Sequence, residues 1–211
     1  MDKKSKNFME KGIPAGTWNK YSSANPLQRM LVFNFLSTLR KLAANIADEC
    51  ETALDIGCGE GITTNIFYEA GLTRIRGMDF SSDVLKRARK KFPRIAFEQK
   101  NIYDLNKTRL FDFVSACEVL EHLNDPKKGL ENVHIVCRKV VILSVPNEPL
   151  FRVLNLLAGK YWRDFGNSPG HLNHWSSLQF AKFVSQRFNI VRVCRPMPWT
   201  VLIARPKHNE I

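Results

Sequence analysis

Residues 54–61 read LDIGCGEG, and the rest of the chain can be interpreted outward from this stretch. An apolar run that contains Asp55 leads into Gly57, Gly59 and Gly61 at alternate positions. Because glycine has no Cβ, such a loop lets backbone N–H groups and a helix N-terminus come close to a ligand. The stretch predicts a buried strand, a ligand-binding turn and the start of a helix.

The spacing of the glycines excludes two common phosphate-binding loops. A dinucleotide fingerprint that begins at Gly57 requires a glycine at position 62, where the chain has Ile62. A P-loop requires Gly-Lys followed by Ser or Thr, and the stretch has no such sequence. The loop is therefore predicted to bind a ligand other than a pyrophosphate.

From residue 52 onward, short strand-like runs alternate with helical stretches. The helices are predicted at residues 62–70, 82–91, 126–136 and 177–187, with Ser81 and Asp125 as N-caps. This alternation is typical of an α/β protein with a Rossmann-like, doubly wound parallel sheet. Near the end, FNIVRVCR and WTVLIAR flank a Pro-Met-Pro link, which predicts an antiparallel hairpin at the sheet edge.

The N-terminal part is predicted to differ from this alternating region. Residues 1–24 are polar and are expected to form a loose arm. Residues 25–48 are predicted to be a helix capped by Asn25, and with the rest of residues 25–211 they form one domain. The apolar stripe of this helix is wide enough to suggest burial on several sides or a flap over a site. The stripe comprises Leu27, Leu31, Val32, Phe33, Phe35, Leu36, Leu39, Leu42 and Ile46.

Polar residues stand at the ends of the next two predicted strands. Asp79 can accept hydrogen bonds from both hydroxyl groups of a ribose, as acids at this place do in nucleotide-binding sheets. Asn101 can pair with the amino edge of an adenine, and Ile102 can cover the ring. Together these residues predict an adenosine-containing ligand.

LDIGCGEG, Asp79, Asn101-Ile102 and the later CEVLEHL resemble the successive motifs of class I S-adenosylmethionine-dependent methyltransferases, in particular the small-molecule O-methyltransferases of ubiquinone-type pathways. The resemblance spans residues 50–205 and implies a seven-stranded sheet with one antiparallel strand. It implies S-adenosylmethionine as cofactor. Members of this family more often have Asp at the position of Asn101. The cofactor-binding residues that it implies are Asp55, Gly57, Cys58, Gly59, Gly61, Asp79, Phe80, Asn101, Ile102, Cys117 and Glu118.

His122 is the predicted catalytic base, because the ordinary pKa of histidine lies near neutrality. His171 and His174 are alternative catalytic residues. A second resemblance, to small-RNA 2′-O-methyltransferases, implies a divalent metal held by Glu118, Glu121, His122 and His171 or His174. The other interpretation of Glu121-His122 is a polar helix start, and the metal hypothesis stays open.

Residues 147–175 are predicted to form a lid insertion over the carboxyl ends of the strands. Leu150, Phe151, Leu154 and Leu157 form its predicted apolar stripe, with Arg152 and Asn155 off it; Tyr161, Trp162, Phe165 and Trp175 add aromatic rings. An apolar lid on a basic protein suits a small-molecule acceptor that is anionic or lipid-like.

The charge of the chain restricts its partners. The formal net charge is +12, with a dense basic run at residues 86–94, so an RNA methyltransferase is one alternative. A non-catalytic protein that only binds the cofactor is a separate alternative. The five cysteines show no CxxC pair, and neither a signal peptide nor a transmembrane segment is predicted. These features predict a cytoplasmic protein with free thiols.

Overall fold

The computed structural model describes residues 8–10, 13–15, 25–106, 110–157, 165, 167 and 170–207. The helices of these residues are α1 (Pro26–Ala44), α2 (Ile62–Glu69), α3 (Ser82–Lys91), α4 (Pro126–Val136), α5 (Leu150–Leu157) and α6 (Ser177–Val184). The strands are β1 (Phe8–Glu10), β2 (Ile13–Ala15), β3 (Ala53–Ile56), β4 (Ile75–Asp79), β5 (Ala96–Gln99), β6 (Phe111–Cys117), β7 (Cys137–Pro146), β8 (Phe188–Cys194) and β9 (Trp199–Pro206).

Seven of these strands form one sheet, in the order β5-β4-β3-β6-β7-β9-β8. All neighbours are parallel except that β9 is antiparallel to both β7 and β8. This confirms the predicted mixed sheet with a terminal hairpin. The chain places β4 and β5 on one side of β3, then β6 and β7 on the other. The gap between the ends of β3 and β6 is therefore the switch point at which doubly wound sheets bind ligands.

Helices cover the sheet on both faces because its central strands are apolar on both faces. In β7, Val140 and Ile142 pack in the core shared with α1 and α2, whereas Val141, Leu143 and Val145 pack in the core shared with α4 and α6. None of the described helices combines the length and apolarity that a membrane span requires.

Helix α1 begins as predicted, because the Asn25 side chain accepts hydrogen bonds from the N–H groups of Leu27 and Gln28. It ends at Ala44, and a short 3-10 helix at Ala47–Glu49 follows. Phe35 is buried against the sheet, but Leu27 and Phe33 are mostly exposed. Of the two predicted alternatives, burial on several sides does not hold at the N-terminal end of the helix, and a flap over a site stays a prediction. Phe35 packs on Trp199, which pairs with Pro146 at the carboxyl edge of the sheet.

Two other local predictions are corrected. Ser81 makes no side-chain cap to α3; its N–H instead donates to the Asp79 carboxylate. In α5, Phe151 and Asn155 are buried, whereas Leu157 is 80% exposed, because positions four apart share one helix face. Asp125 caps α4 as predicted.

Two predicted features lie partly outside the described residues. Within the predicted N-terminal arm, β1 and β2 pair antiparallel, and the rest of residues 1–24 is outside the described part of the chain. Tyr161 and Trp162 of the predicted lid are also outside it. The arm and the lid stay predictions on this account.

Candidate functional site

The glycine loop follows β3 directly and lies at the switch point of the sheet. Gly57 and Gly59 have φ angles of 67° and 52°, in the left-handed region that favours glycine. A Cβ on Gly57 would overlap the side chain of Val119, whereas a Cβ on Gly59 would meet nothing within 4 Å. Gly57 therefore permits contact between the loops that follow β3 and β6, and Gly59 leaves space for a ligand.

Asp55 fixes this loop to the sheet and to α2. Its buried carboxylate accepts hydrogen bonds from the hydroxyl groups of Thr63 at 2.9 Å, Thr64 at 2.7 Å and Ser115 at 2.7 Å. Ser115 lies opposite Asp55 in the register of β3 and β6. Burial raises the pKa of Asp55, and the three hydroxyl donors oppose that rise. These contacts explain an acid at the end of a buried strand; direct contact with a cofactor stays a prediction.

Asp79 lies next to the glycine loop, as its position at the end of β4 predicts. Its Oδ2 accepts from the N–H of Gly59 at 2.9 Å, and its Oδ1 accepts from the N–H of Ser81 at 2.9 Å. Each carboxylate oxygen has two acceptor directions, so these bonds are compatible with further donors such as ribose hydroxyls. The carboxylate is buried, and the two bonds fix its orientation.

Asn101 and Ile102 follow β5 and have clear structural roles. The Asn101 Oδ1 atom accepts from the N–H of Tyr103 at 3.0 Å, which caps the 3-10 helix at Ile102–Asp104. Ile102 is buried in the core against α4, where the Asn132 side-chain amide donates to the Ile102 carbonyl at 2.9 Å. Contact of either residue with adenine stays a prediction.

The remaining predicted cofactor residues shape the loop through packing. The Cys58 side chain is buried near Gly77, and the absence of a side chain at Gly61 leaves room for Phe92 and Phe97. Phe80 packs partly against the same cluster, and Cys117 is buried on the α1 side of the sheet. Their side chains support the fold, so contact with a ligand is predicted mainly through the backbone at these positions.

Glu118 turns the chain out of β6 and carries the site's most unusual backbone. Its φ is 62°, which is uncommon for a residue with a side chain, and its N–H donates to the Ser144 carbonyl at 3.0 Å. The indole Nε1–H of Trp199 donates to Glu118 Oε2 at 2.7 Å. Trp199 was not among the predicted site residues, because 81 positions separate it from Glu118 and no local motif links them.

His122 is held by the loop that precedes α6. Its Nδ1 lies 2.8 Å from the Gly170 carbonyl oxygen, and its ring centroid lies 4.9 Å from that of His171. The His171 ring in turn stacks on Phe151 of α5 at 5.6 Å. The structure thus brings two of the three predicted catalytic histidines together beneath α5.

Glu121 completes a cluster with these two histidines. Ligand-type atoms of Glu121, His122 and His171 all lie within 4.8 Å of one another, and Glu121 is buried. Within the described residues this group holds three of the four predicted ligands, with His171 rather than its alternative His174, and Glu118 is not a member. A bound metal stays a prediction. His174 instead lies 2.9 Å from the Asn167 side chain, and burial followed by the charge of Arg152 lowers its pKa.

The chain is similar to known methyltransferases along most of its length. A family model described as a methyltransferase domain matches residues 29–191. A ubiquinone biosynthesis O-methyltransferase of Dictyostelium discoideum is 22% identical over 195 residues, which cover 78% of this chain and 59% of that protein. A putative methyltransferase of Invertebrate iridescent virus 6 is 26% identical, over 80% of this chain and 65% of its own. The chain spans less than two thirds of each of these relatives.

Solved structures show the same fold. Magnesium protoporphyrin IX methyltransferase from Synechocystis PCC 6803, with bound S-adenosylhomocysteine, has a TM-score of 0.68 at 18% identity and covers 90% of this chain and 92% of its own. An N-methyltransferase from Bradyrhizobium japonicum WM9 has a TM-score of 0.64 at 14% identity, and the match covers 84% of this chain and 97% of that protein. Since the family model covers most of the chain, this protein belongs to the methyltransferase domain family and has the fold of these solved structures.

Proposed function

We propose that the enzyme transfers the methyl group of S-adenosylmethionine to an oxygen of a small or amphiphilic molecule, with His122 as the base. The hydrogen bond between His122 Nδ1 and the Gly170 carbonyl carries the proposal. A carbonyl only accepts, so Nδ1 holds the proton, and in the neutral ring Nε2 has the lone pair that a base requires. The ring is thereby oriented at the end of β6, beside the switch point.

The chemistry needs little beyond orientation and proton removal. Bound S-adenosylmethionine would supply a sulfonium methyl group, whose bond to sulfur would break as the acceptor oxygen bonds to the methyl carbon, with a neutral thioether as leaving group. His122 takes the proton that the acceptor hydroxyl loses. Asp79 and the glycine loop hold the cofactor in this scheme, and general-base assistance contributes a factor of about 10² to 10⁴ in rate.

The surroundings of the site support an amphiphilic acceptor. Residues 147–175 are proposed to form the acceptor lid, since Phe151 of α5 stacks on His171, which contacts His122. Apolar side chains stay exposed on α5 and on the N-terminal turns of α1; they are Leu27, Met30, Phe33, Val153 and Leu157. Oxygen as the methylated atom is supported by the relatives named O-methyltransferases.

His122→Ala tests the proposal, with His134→Ala on α4 as matched control. The affinity for S-adenosylmethionine in calorimetry should stay within about twofold in both variants, because neither removes a proposed cofactor contact. Turnover of a panel of phenols, catechols and carboxylates should fall about 100-fold or more in His122→Ala alone. Full activity of His122→Ala would remove it as the base. Tight cofactor binding without wild-type turnover on any acceptor would favour the non-catalytic alternative.

The cluster of Glu121, His122 and His171 supports a second candidate role, the binding of a divalent cation. One carboxylate and two imidazoles suit Mn²⁺ and other first-row metals. Electron paramagnetic resonance of added Mn²⁺ should then reveal a bound signal that Glu121→Gln and His171→Ala abolish and His174→Ala retains. An identical spectrum of free Mn²⁺ with all four proteins would reject this role.

The RNA alternative rests on the basic run at residues 86–94, and its described contacts favour a structural role for part of that run. Arg87 pairs with Glu60 at 2.9 Å, and the Arg89 guanidinium donates to the Phe97 carbonyl at 2.8 Å. Lys90 and Lys91 are exposed and form the part that could contact phosphates. RNA binding that falls steeply with salt and disappears on neutralising both lysines would support the alternative.

A further inference from the structure

Glu118 occupies a strained conformation that the surrounding structure must hold. Its φ of 62° lies in the left-handed region, which is unfavourable for a residue with a side chain and is found where neighbours fix it. Two long-range hydrogen bonds act on this residue: its N–H donates to Ser144 of β7, and its carboxylate accepts from Trp199 of β9. The conformation directs the following residue, Val119, against Gly57 of the cofactor loop.

Trp199 is placed to deliver that hydrogen bond. It is the first residue of β9, it pairs with Pro146 at the carboxyl edge of the sheet, and it is 3% exposed. Its ring lies against Phe35 of α1, with centroids 4.8 Å apart. A buried indole N–H needs an acceptor, and a bond to a carboxylate is stronger than one between neutral groups.

We propose that Trp199 is a positioning residue that fixes the Glu118 carboxylate beside the cofactor loop, and that its contact with Phe35 ties α1 to the cofactor site. The inference rests on the proposed function and on the predicted place of Glu118 among the residues that bind the cationic sulfonium cofactor. An oriented carboxylate there favours the ammonium and sulfonium charges of S-adenosylmethionine. Three side chains make this link: Phe35 of α1, Trp199 of β9 and Glu118 of the loop after β6.

A double-mutant cycle on cofactor affinity tests the link. Trp199→Phe removes the N–H donor and keeps a ring against Phe35, so the dissociation constant for S-adenosylmethionine should rise about tenfold. Glu118→Gln removes the charge and should weaken binding by a similar or larger factor. The double variant should bind no more weakly than Glu118→Gln alone within about twofold, because the indole acts through that carboxylate.

Phe188→Leu on β8 is the matched control, because Phe188 is also a buried aromatic residue but its ring packs on His134 of α4 rather than on Glu118. Its affinity should match the wild type within about twofold. Wild-type affinity of Trp199→Phe, or additive losses in the double variant, would overturn the proposal. A wild-type protein that binds the cofactor but methylates nothing would contradict the proposed function without touching this link.

A second measurement needs no Trp199 variant. In a nitrogen-15 correlation spectrum, Glu118→Gln should move one indole N–H signal strongly upfield, because the charged acceptor is lost. The other indole signals should stay in place. If no indole signal responds, Trp199 does not bind the Glu118 carboxylate in solution, and the proposal fails even if cofactor affinity falls.

Discussion

Gly57 and Gly59, just after β3, have different roles that their sequence spacing does not distinguish. Gly57 and Gly59 have the same left-handed backbone, but only Gly57 is crowded by a neighbouring side chain. Their shared spacing in LDIGCGEG predicts a close backbone approach at both positions. Whether a protein side chain or a ligand approaches each glycine depends on Val119, 62 residues after Gly57, and could not be predicted from the local sequence.

The two glycines should therefore respond differently to alanine. Gly57→Ala should destabilise the protein by more than about 2 kcal/mol, since Cβ overlap with Val119 adds to the left-handed strain. Gly59→Ala should cost about 1 kcal/mol in stability but weaken cofactor binding several-fold, since its Cβ enters the open space. Denaturant unfolding and calorimetry measure the two effects. Val119→Ala should partly restore Gly57→Ala, and equal stability losses in both variants would contradict the assignment.

Asp79→Asn should raise the dissociation constant for S-adenosylmethionine about tenfold or more. The amide loses one acceptor oxygen, and its N–H₂ group then faces the N–H of Gly59 or Ser81. Asp83→Asn on α3 is the matched control, because its carboxylate pairs only with the exposed Lys86 among the described residues. Unchanged affinity of Asp79→Asn by calorimetry would remove the ribose assignment.

At the scale of elements, local patterns predict most boundaries because capping and hydrophobic period are local. Helices α3 and α4 begin and end at the predicted residues, and the terminal hairpin pairs as expected. Local patterns do not predict the exposed N-terminal turns of α1 or the burial of Asn155, because each depends on where the helix meets the sheet. The Trp199–Glu118 bond is hidden for the same reason.

The amino ends of the strands hold a pH-dependent contact that is separate from the cofactor site. Asp112 opens β6 with Phe111 and accepts from the N–H groups of Glu51 and Thr52. Burial acts to raise its pKa, but these bonds and the charges of Lys139 and Arg138 lower it overall. A lowered folded-state pKa means that the stabilisation is complete above the ordinary value of about 3.9 and is lost as the pH falls below it.

Asp112→Asn should accordingly reduce the free energy of unfolding by about 2 kcal/mol at pH 7. The difference from wild type should shrink as the pH falls from about 4 towards 2, where the native carboxylate is also protonated. Urea titrations across this range measure it, with the exposed Asp104→Asn as control. A difference that is constant with pH would show that the charge of Asp112 does not contribute.

Across the whole molecule, one of the five cysteines is partly exposed to solvent. Cys50, Cys58, Cys117 and Cys137 are buried, and Cys194 is half-buried. Burial raises the pKa of Cys50 to about 11 and that of Cys137 to about 12, so neither forms much thiolate at pH 8.

Ellman's reagent should therefore react rapidly with one thiol of the native protein at pH 8. Cys194→Ser should abolish that fast phase, and unfolding should release the others. Two or more fast equivalents in the native protein would contradict the buried positions of the remaining cysteines.

The reversed direction of β9 has a consequence for the order of synthesis. Residues 199–206 are the last strand of the sheet to leave the ribosome, yet they insert between β7 and β8 rather than adding at the edge. Their first residue, Trp199, reaches the carboxyl edge and the Glu118 loop only because the strand runs antiparallel. A nascent chain halted before Trp199 already contains every glycine-loop residue and lacks the last support of the pocket. Cofactor capture is thus expected to be a late event in the maturation of this enzyme.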